Sequence, residues 1–108
     1  MKAAVIGSRN LKMDISEYIP GGVTEIISGG AAGIDTAAER YAKKHGIPTK
    51  IFLPDYESFG SVAPLVRNRK IVEAADIIIA LWDGDSRGTM HAVNYARELG
   101  KKIKLYKV

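Results

Sequence analysis

The stretch Ile27–Gly46, ISGGAAGIDTAAERYAKKHG, reads as a strand end, a glycine turn and an amphipathic helix. The apolar run TEIIS ends in Ser28-Gly29-Gly30; Ile34, Ala37, Ala38, Tyr41 and Ala42 then recur at the period of a helix with one buried face. His45-Gly46 followed by Pro48 stops that helix. A strand passing through a glycine turn into a helix is the repeating unit of a parallel α/β fold. Such a turn is either a tight corner or a cradle for an anion.

Outward from this unit the pattern repeats. AAVIG precedes it, followed by Leu11, Ile15, Tyr18 and Ile19 at helical spacing, with Asn10 as cap and Pro20-Gly21-Gly22 as stop. After it come TKIFL, a loop, a helix from about Val62 to Ala75, DIIIALW, a helix from about Arg87 to Leu99, Gly100 as terminator, and KIKLY. Five strands and four helices with short connections predict parallel strands, right-handed crossovers and helices on both faces of the sheet. The apolar runs VIG and IIIAL suit strands covered on both sides. The expected strand order is 3-2-1-4-5, with a ligand crevice beyond the carboxyl ends of strands 1 and 4.

Composition narrows the class. With 108 residues, 46% hydrophobic and 26% charged, the expectation is one compact domain over residues 1–108. No run approaches the ~18 apolar residues of a membrane helix, and Met1-Lys2 leads straight into a β-like segment, so a cytoplasmic protein without membrane contact is expected. Zero cysteines exclude disulfides, thiolate metal sites and a cysteine nucleophile; with only His45 and His91 as imidazoles, no metal site is expected. The net charge of +4 invites a nucleic-acid reading, but Lys101, Lys102, Lys104 and Lys107 crowd the end, alternating with Ile103 and Leu105 as in a protected edge strand.

Three strand ends carry ligand-like residues. They are Gly7-Ser8-Arg9, Ser28-Gly29-Gly30 and the run Asp83-Gly84-Asp85-Ser86-Arg87-Gly88-Thr89, all facing one edge of the predicted sheet. Glycines let a ligand approach backbone N–H groups, helix starts near Gly33 and Arg87 offer donors at a positive dipole end, and hydroxyls at Ser8, Ser28, Ser86 and Thr89 add more. Any one turn has an ordinary architectural reading; their convergence at a switch point favours anion binding. Neither G-x-G-x-x-G nor G-x-x-x-x-G-K-[ST] occurs, so no dinucleotide or other cofactor is expected. Asp35 sits in a helix first turn, where it either pairs with the dipole or accepts from a ribose hydroxyl. Tyr56 and Phe59 either stack on a base or pack their loop. Trp82 ends a strand as a pocket wall or a core residue, and His91 lies with Asn94, Arg97 and Glu98 on what reads as a solvated face.

In APLVRNRKIVEAAD, Leu65, Arg69 and Val72 fall at i, i+4 and i+7, which predicts Arg69 on an otherwise apolar stripe. A core-facing arginine must pair with a carboxylate such as Asp35 or Asp83, clamp a ligand in the crevice beside Arg67 and Asn68, or snorkel to the surface.

The segments SGGAAGIDTAAERYAKKHG, RNRKIVEAADIIIAL and GDSRGTMHAVNYAREL, in this order, resemble the SLOG superfamily, which groups the DNA-processing protein A (Smf) proteins and the Lonely Guy nucleotide hydrolases. The resemblance covers nearly the whole chain. LPDYESFGSVAPLVRNRK followed by WDGDSRGT looks closest to the YspA-like branch. The resemblance implies a Rossmann-like three-layer α/β/α fold that binds a nucleotide, a nucleotide sugar or a nucleic-acid phosphate, with Gly29, Gly30, Arg67, Asn68, Arg69, Ser86, Gly88 and Thr89 lining the site.

Departures from the pattern separate the activities. Lonely Guy hydrolases carry P-G-G-x-G-T-x-x-E; aligning Gly88-Thr89 puts Ala92 at the glutamate and Asp85-Ser86 at the paired glycines. Cleavage of a glycosidic bond wants a carboxylate near the anomeric carbon, and only Asp35, Asp83 or Asp85 is placed to substitute. The DNA-processing reading lacks an evident row of stacking aromatics beyond Tyr56. The expectation is therefore a module binding a nucleotide-like small molecule. The alternatives are an N-glycosidic hydrolase using Asp35 or Asp83, and a single-stranded nucleic-acid binder using Arg9, Arg67, Arg69 and Arg87. Uncovered sheet edges and the resemblance are also compatible with a homodimer.

Overall fold

The computed structural model describes residues 1–108. A five-stranded parallel sheet is built from β1 (Lys2–Gly7), β2 (Glu25–Ser28), β3 (Thr49–Ile51), β4 (Ile77–Trp82) and β5 (Lys102–Lys107), in the order β3-β2-β1-β4-β5. Its helices are α1 (Ile34–Lys44), the short α2 (Tyr56–Phe59), α3 (Ala63–Ala74) and α4 (Arg87–Glu98), with single 3-10 turns at Ser16–Tyr18 and Gly60–Val62. This is the predicted α/β architecture and strand order.

The central strands are apolar on both faces because both faces are covered. Ala3, Val5, Ile26, Ile77, Ile79 and Leu81 pack with Ile34, Ala38 and Ala42 of α1 and with Ile15. On the opposite face Ala4, Ile6, Ile27, Ile78 and Ala80 meet Ile71, Val72 and Ala75 from the α3 end and Ala92, Val93 and Ala96 of α4. Small residues on the helices let them sit close to a sheet rich in isoleucine. At the far edge, Lys102, Lys104 and Lys107 are exposed on β5, as the alternation predicted. Lys101 instead turns inward, its Nζ donating to the carbonyl oxygens of Ala75 at 2.8 Å and Glu73 at 3.3 Å, where a cation complements the end of α3.

The first predicted helix does not form. Between Gly7 and β2 the chain is irregular apart from the Ser16–Tyr18 turn. The carboxylate of Asp14 accepts from the backbone N–H of Ser16 at 2.8 Å and from its hydroxyl, a local alternative to helical bonding. Ile15 is still buried, with Leu11, Tyr18 and Ile19 packed around it, so the apolar spacing is used by a loop wrapped over the sheet. Asn10 caps nothing there; its side chain reaches Asp83.

Candidate functional site

β1 and β4 are neighbours whose following segments diverge to opposite faces of the sheet, α3 and α4 lying on one and α1 on the other. The divergence opens a cleft of about 330 Å³ beyond their carboxyl ends. It is walled by Gly7 at the end of β1 with Arg9 and Asn10 beyond it, Ala31 and Asp35 at α1, Arg67 and Asn68 of α3, and Asp83, Ser86, Gly88 and Thr89 at the β4–α4 turn. Nine of the predicted ligand residues line it: Gly7, Arg9, Asp35, Arg67, Asn68, Asp83, Ser86, Gly88 and Thr89.

The arginine that faces inward on α3 is Arg67, and the expectation for Arg69 is corrected accordingly. Arg67 is 8% exposed, on a stripe with Ala63 and Ile71 at four-residue intervals; Arg69 is exposed, its guanidinium 5.4 Å from the centre of the Tyr95 ring. Arg67 donates from Nη1 to the carbonyl oxygen of Gly29 at 2.8 Å and from Nε to Oδ1 of Asn68 at 2.9 Å; Asn68 in turn donates from Nδ2 to the carbonyl oxygen of Gly88 at 3.5 Å. This relay straps the end of β2, the middle of α3 and the start of α4 together. Both acceptors of Arg67 are neutral, and three of the five guanidinium N–H donors remain.

The glycine turn after β2 makes room for this arginine. A Cβ on Gly29 would lie 2.7 Å from Nη1 of Arg67 and 3.0 Å from Oδ2 of Asp35, while Gly30, at φ +71°, would press a Cβ against Leu53 and Ile51. The start of α1 is likewise occupied: Gly33 packs against the carbonyl oxygens of Ser8 and Arg9, and Asp35 accepts from the N–H of Ala31 at 3.1 Å. Ser8 and Ser28 are fully buried behind the cleft. Ser8 Oγ takes the N–H of Asp83 at 3.1 Å and Ser28 Oγ that of Gly30 at 3.4 Å.

The β4–α4 turn is open. Ser86 caps α4, its hydroxyl accepting from the N–H of Thr89 at 3.4 Å and pairing with the Thr89 hydroxyl at 3.0 Å. The N–H groups of Arg87 and Gly88 have no intrahelical acceptor, and nothing lies within 4 Å of where a Gly88 Cβ would be. Gly84 packs against Lys107, Arg87 is exposed, and neither lines the cleft.

Charges in the cleft are unequal in availability. Backbone N–H groups of Asp85 and Ser86, at 2.8 and 2.9 Å, hold the Asp83 carboxyl below its ordinary range, and Asn10 adds a bond at 3.4 Å. Asp35 goes the other way: burial pushes its carboxyl up, opposed by the Ala31 N–H and by the charge of Arg67. Burial lowers the Arg67 value in turn, with Asp35 opposing. The cleft thus holds one carboxylate committed to a turn, one whose value burial raises, and buried and exposed guanidinium groups at Arg67 and Arg9.

Asp85 and Ala92, placed at this turn by the family resemblance, also line the cleft, as does Asn10, which sequence reasoning gave to a helix cap. Its place directly after the Gly-Ser-Arg strand end is the signal that marks it. Tyr56 is 58% exposed and lies outside the lining. Trp82 is half-buried, its indole N–H donating to the carbonyl oxygen of Ser86 at 3.0 Å. His91 departs from the solvated-face expectation, because its Nδ1 is buried without a partner while Asn94, Arg97 and Glu98 are exposed.

A five-stranded parallel sheet with this order, flanked by helices and open at the switch point, defines a Rossmann-like α/β fold. Among solved structures, the X-ray structure of DNA processing protein A (DprA) from Streptococcus pneumoniae is similar over 94% of this chain, with a TM-score of 0.77 and 22% sequence identity. The chain matches 48% of that protein, about half its length, and the likeness establishes a DprA-like fold. No family model and no curated protein matches the chain.

Proposed function

We propose that the cleft binds the phosphate group of a nucleotide-like ligand, and that the chain is a SLOG-type binding module. The observation that carries this reading is the open start of α4, where the N–H of Gly88, without an intrahelical acceptor, stands in the same cleft as the buried guanidinium of Arg67. A helix N-terminus and a desolvated arginine attract one dianion from two sides. Asn68, bonded to both, fixes their spacing. A cleft of about 330 Å³ suits a small ligand with its phosphate inside and its base toward the rim, where Leu65 is exposed. Asp35, on the cleft wall with its carboxyl pushed up by burial, is suited to bond a ribose hydroxyl.

A second reading is single-stranded nucleic acid, supported by the likeness to a DNA processing protein and by exposed Arg9 on the cleft wall. Calorimetric titration with AMP, ADP-ribose and oligo-dT, at two salt concentrations and with chromatography for released base, separates the readings. Saturable nucleotide binding with weak salt dependence supports the module; oligonucleotide binding alone, lost steeply with salt, supports the strand groove. Release of base would instead support the N-glycosidic hydrolase, with Asp35 or Asp83 as its carboxylate.

A further inference from the structure

A second concavity, of about 700 Å³ and sharing no lining residue with the cleft, lies between the segment Lys12–Ser16 and α1. It exists because that segment is a loop: the chain runs beside α1 and leaves a trough along it. Lys12 stands on one wall; Arg40 and Lys44, one helical turn apart, stand on the other with Tyr41 between them in sequence. The only carboxylate in the lining, Asp14, is held by the N–H and hydroxyl of Ser16. Three cations therefore face the trough against one carboxylate already engaged.

The rest of the lining is not suited to a bare inorganic ion. Met13 and Ala37 supply apolar surface, and the Tyr41 ring is braced by His45, with ring centroids 4.3 Å apart and planes 34° from one another. Apolar and aromatic surface under a cationic rim matches an amphiphilic anion. Thr36, the remaining hydroxyl on α1, is engaged with the carbonyl oxygen of Ala31 at 3.0 Å and belongs to the wall.

We infer that this groove is a second binding site, which takes a phosphate monoester of a planar or apolar organic group, with Lys12, Arg40 and Lys44 on the phosphate and Tyr41 and Met13 against the organic part. The site is independent of the cleft in its residues, and its ligand need not be the same molecule.

The test is a titration of the ¹⁵N-labelled full chain with AMP, adenosine, inorganic phosphate and oligo-dT, in the wild type and in the double variant Arg40→Glu, Lys44→Glu. Both positions lie on the outward face of α1, Arg40 and Lys44 being exposed, and a thermal melt confirms that the variant is folded. AMP should produce saturable shifts at Thr36, Arg40 and Tyr41, with adenosine and inorganic phosphate each at least about tenfold weaker, and the double variant should weaken AMP at least about tenfold at these amides only. Shifts at Gly88–Ala92 report the cleft, so failure there leaves this inference standing, and the reverse. The inference is overturned if AMP moves no amide of α1, if the variant leaves those shifts unchanged, or if only oligo-dT produces them.

Discussion

Arg67 donates a 2.8 Å hydrogen bond from within the protein to the carbonyl oxygen of Gly29, thirty-eight residues earlier in the chain. Gly29 has no side chain where the guanidinium lies, and any Cβ would collide with it. The two residues define each other: the glycine turn after β2 is a seat for the arginine, and the arginine brings charge to the cleft.

Arg67→Lys keeps the charge and loses the planar fork that serves Gly29 and Asn68 together. The expected cost is roughly 1–2 kcal/mol in stability by chemical denaturation, with a larger proportional loss, about tenfold or more, in nucleotide affinity by calorimetry. Equal affinity in the two proteins would remove Arg67 from the ligand.

Gly30→Val and Gly88→Ala should behave oppositely. At Gly30 a side chain meets both left-handed backbone and Leu53 at 2.8 Å, so destabilisation of roughly 1–3 kcal/mol is expected. Gly88 has open space around it; alanine there should leave the melting temperature unchanged or raised, while its methyl obstructs a phosphate approaching the helix start. If Gly88→Ala binds nucleotide as the wild type does, the anion does not sit at α4.

The pH dependence of stability should carry the mark of Asp35. Its folded carboxyl lies above the ordinary value of 3.8, so the folded state holds more protons than the unfolded one just above that pH. Stability therefore falls as the pH rises from 3.8 through the raised value. Asp83 acts with the opposite sign, its contribution complete above 3.8 and lost as the pH falls through the depressed folded value. Asp35→Asn should abolish the first slope and leave the second in equilibrium unfolding across acid pH; an unaltered first slope would assign it to another group.

Trp82, the single tryptophan, is bonded to the carbonyl oxygen of the residue that caps α4. A ligand at that helix start should alter its emission, whereas a ligand on the outer face of α1 should not. Titrating AMP and reading fluorescence beside the α1 amide shifts gives each site its own signal.

The strands, α1, α3, α4 and the sheet order were all legible in hydrophobic period and breakers; the signal is strongest in β1, β2, β4, α1 and α4, which bury apolar residues against one another. Leu11, Ile15, Tyr18 and Ile19 show the limit of that signal: the same spacing serves a wrapped loop once Asp14 offers Ser16 a competing turn. α3 shows another. Its apolar stripes through Ile71 and Val72 are adjacent, so period alone does not choose between Arg67 and Arg69; the choice comes from Gly29, which is distant in sequence and leaves room for only one of them. The strand-end glycines were visible as a group, but which turn is a corner and which is open depends on what packs behind each.

The Arg67–Asn68 relay has a kinetic meaning. With the β2 turn, α3 and the α4 start already fastened to one another, no loop has to be ordered around an arriving ligand. Association should then be a single fast phase that differs little among ligands sharing a phosphate, and selectivity among them should be written in how long each one stays.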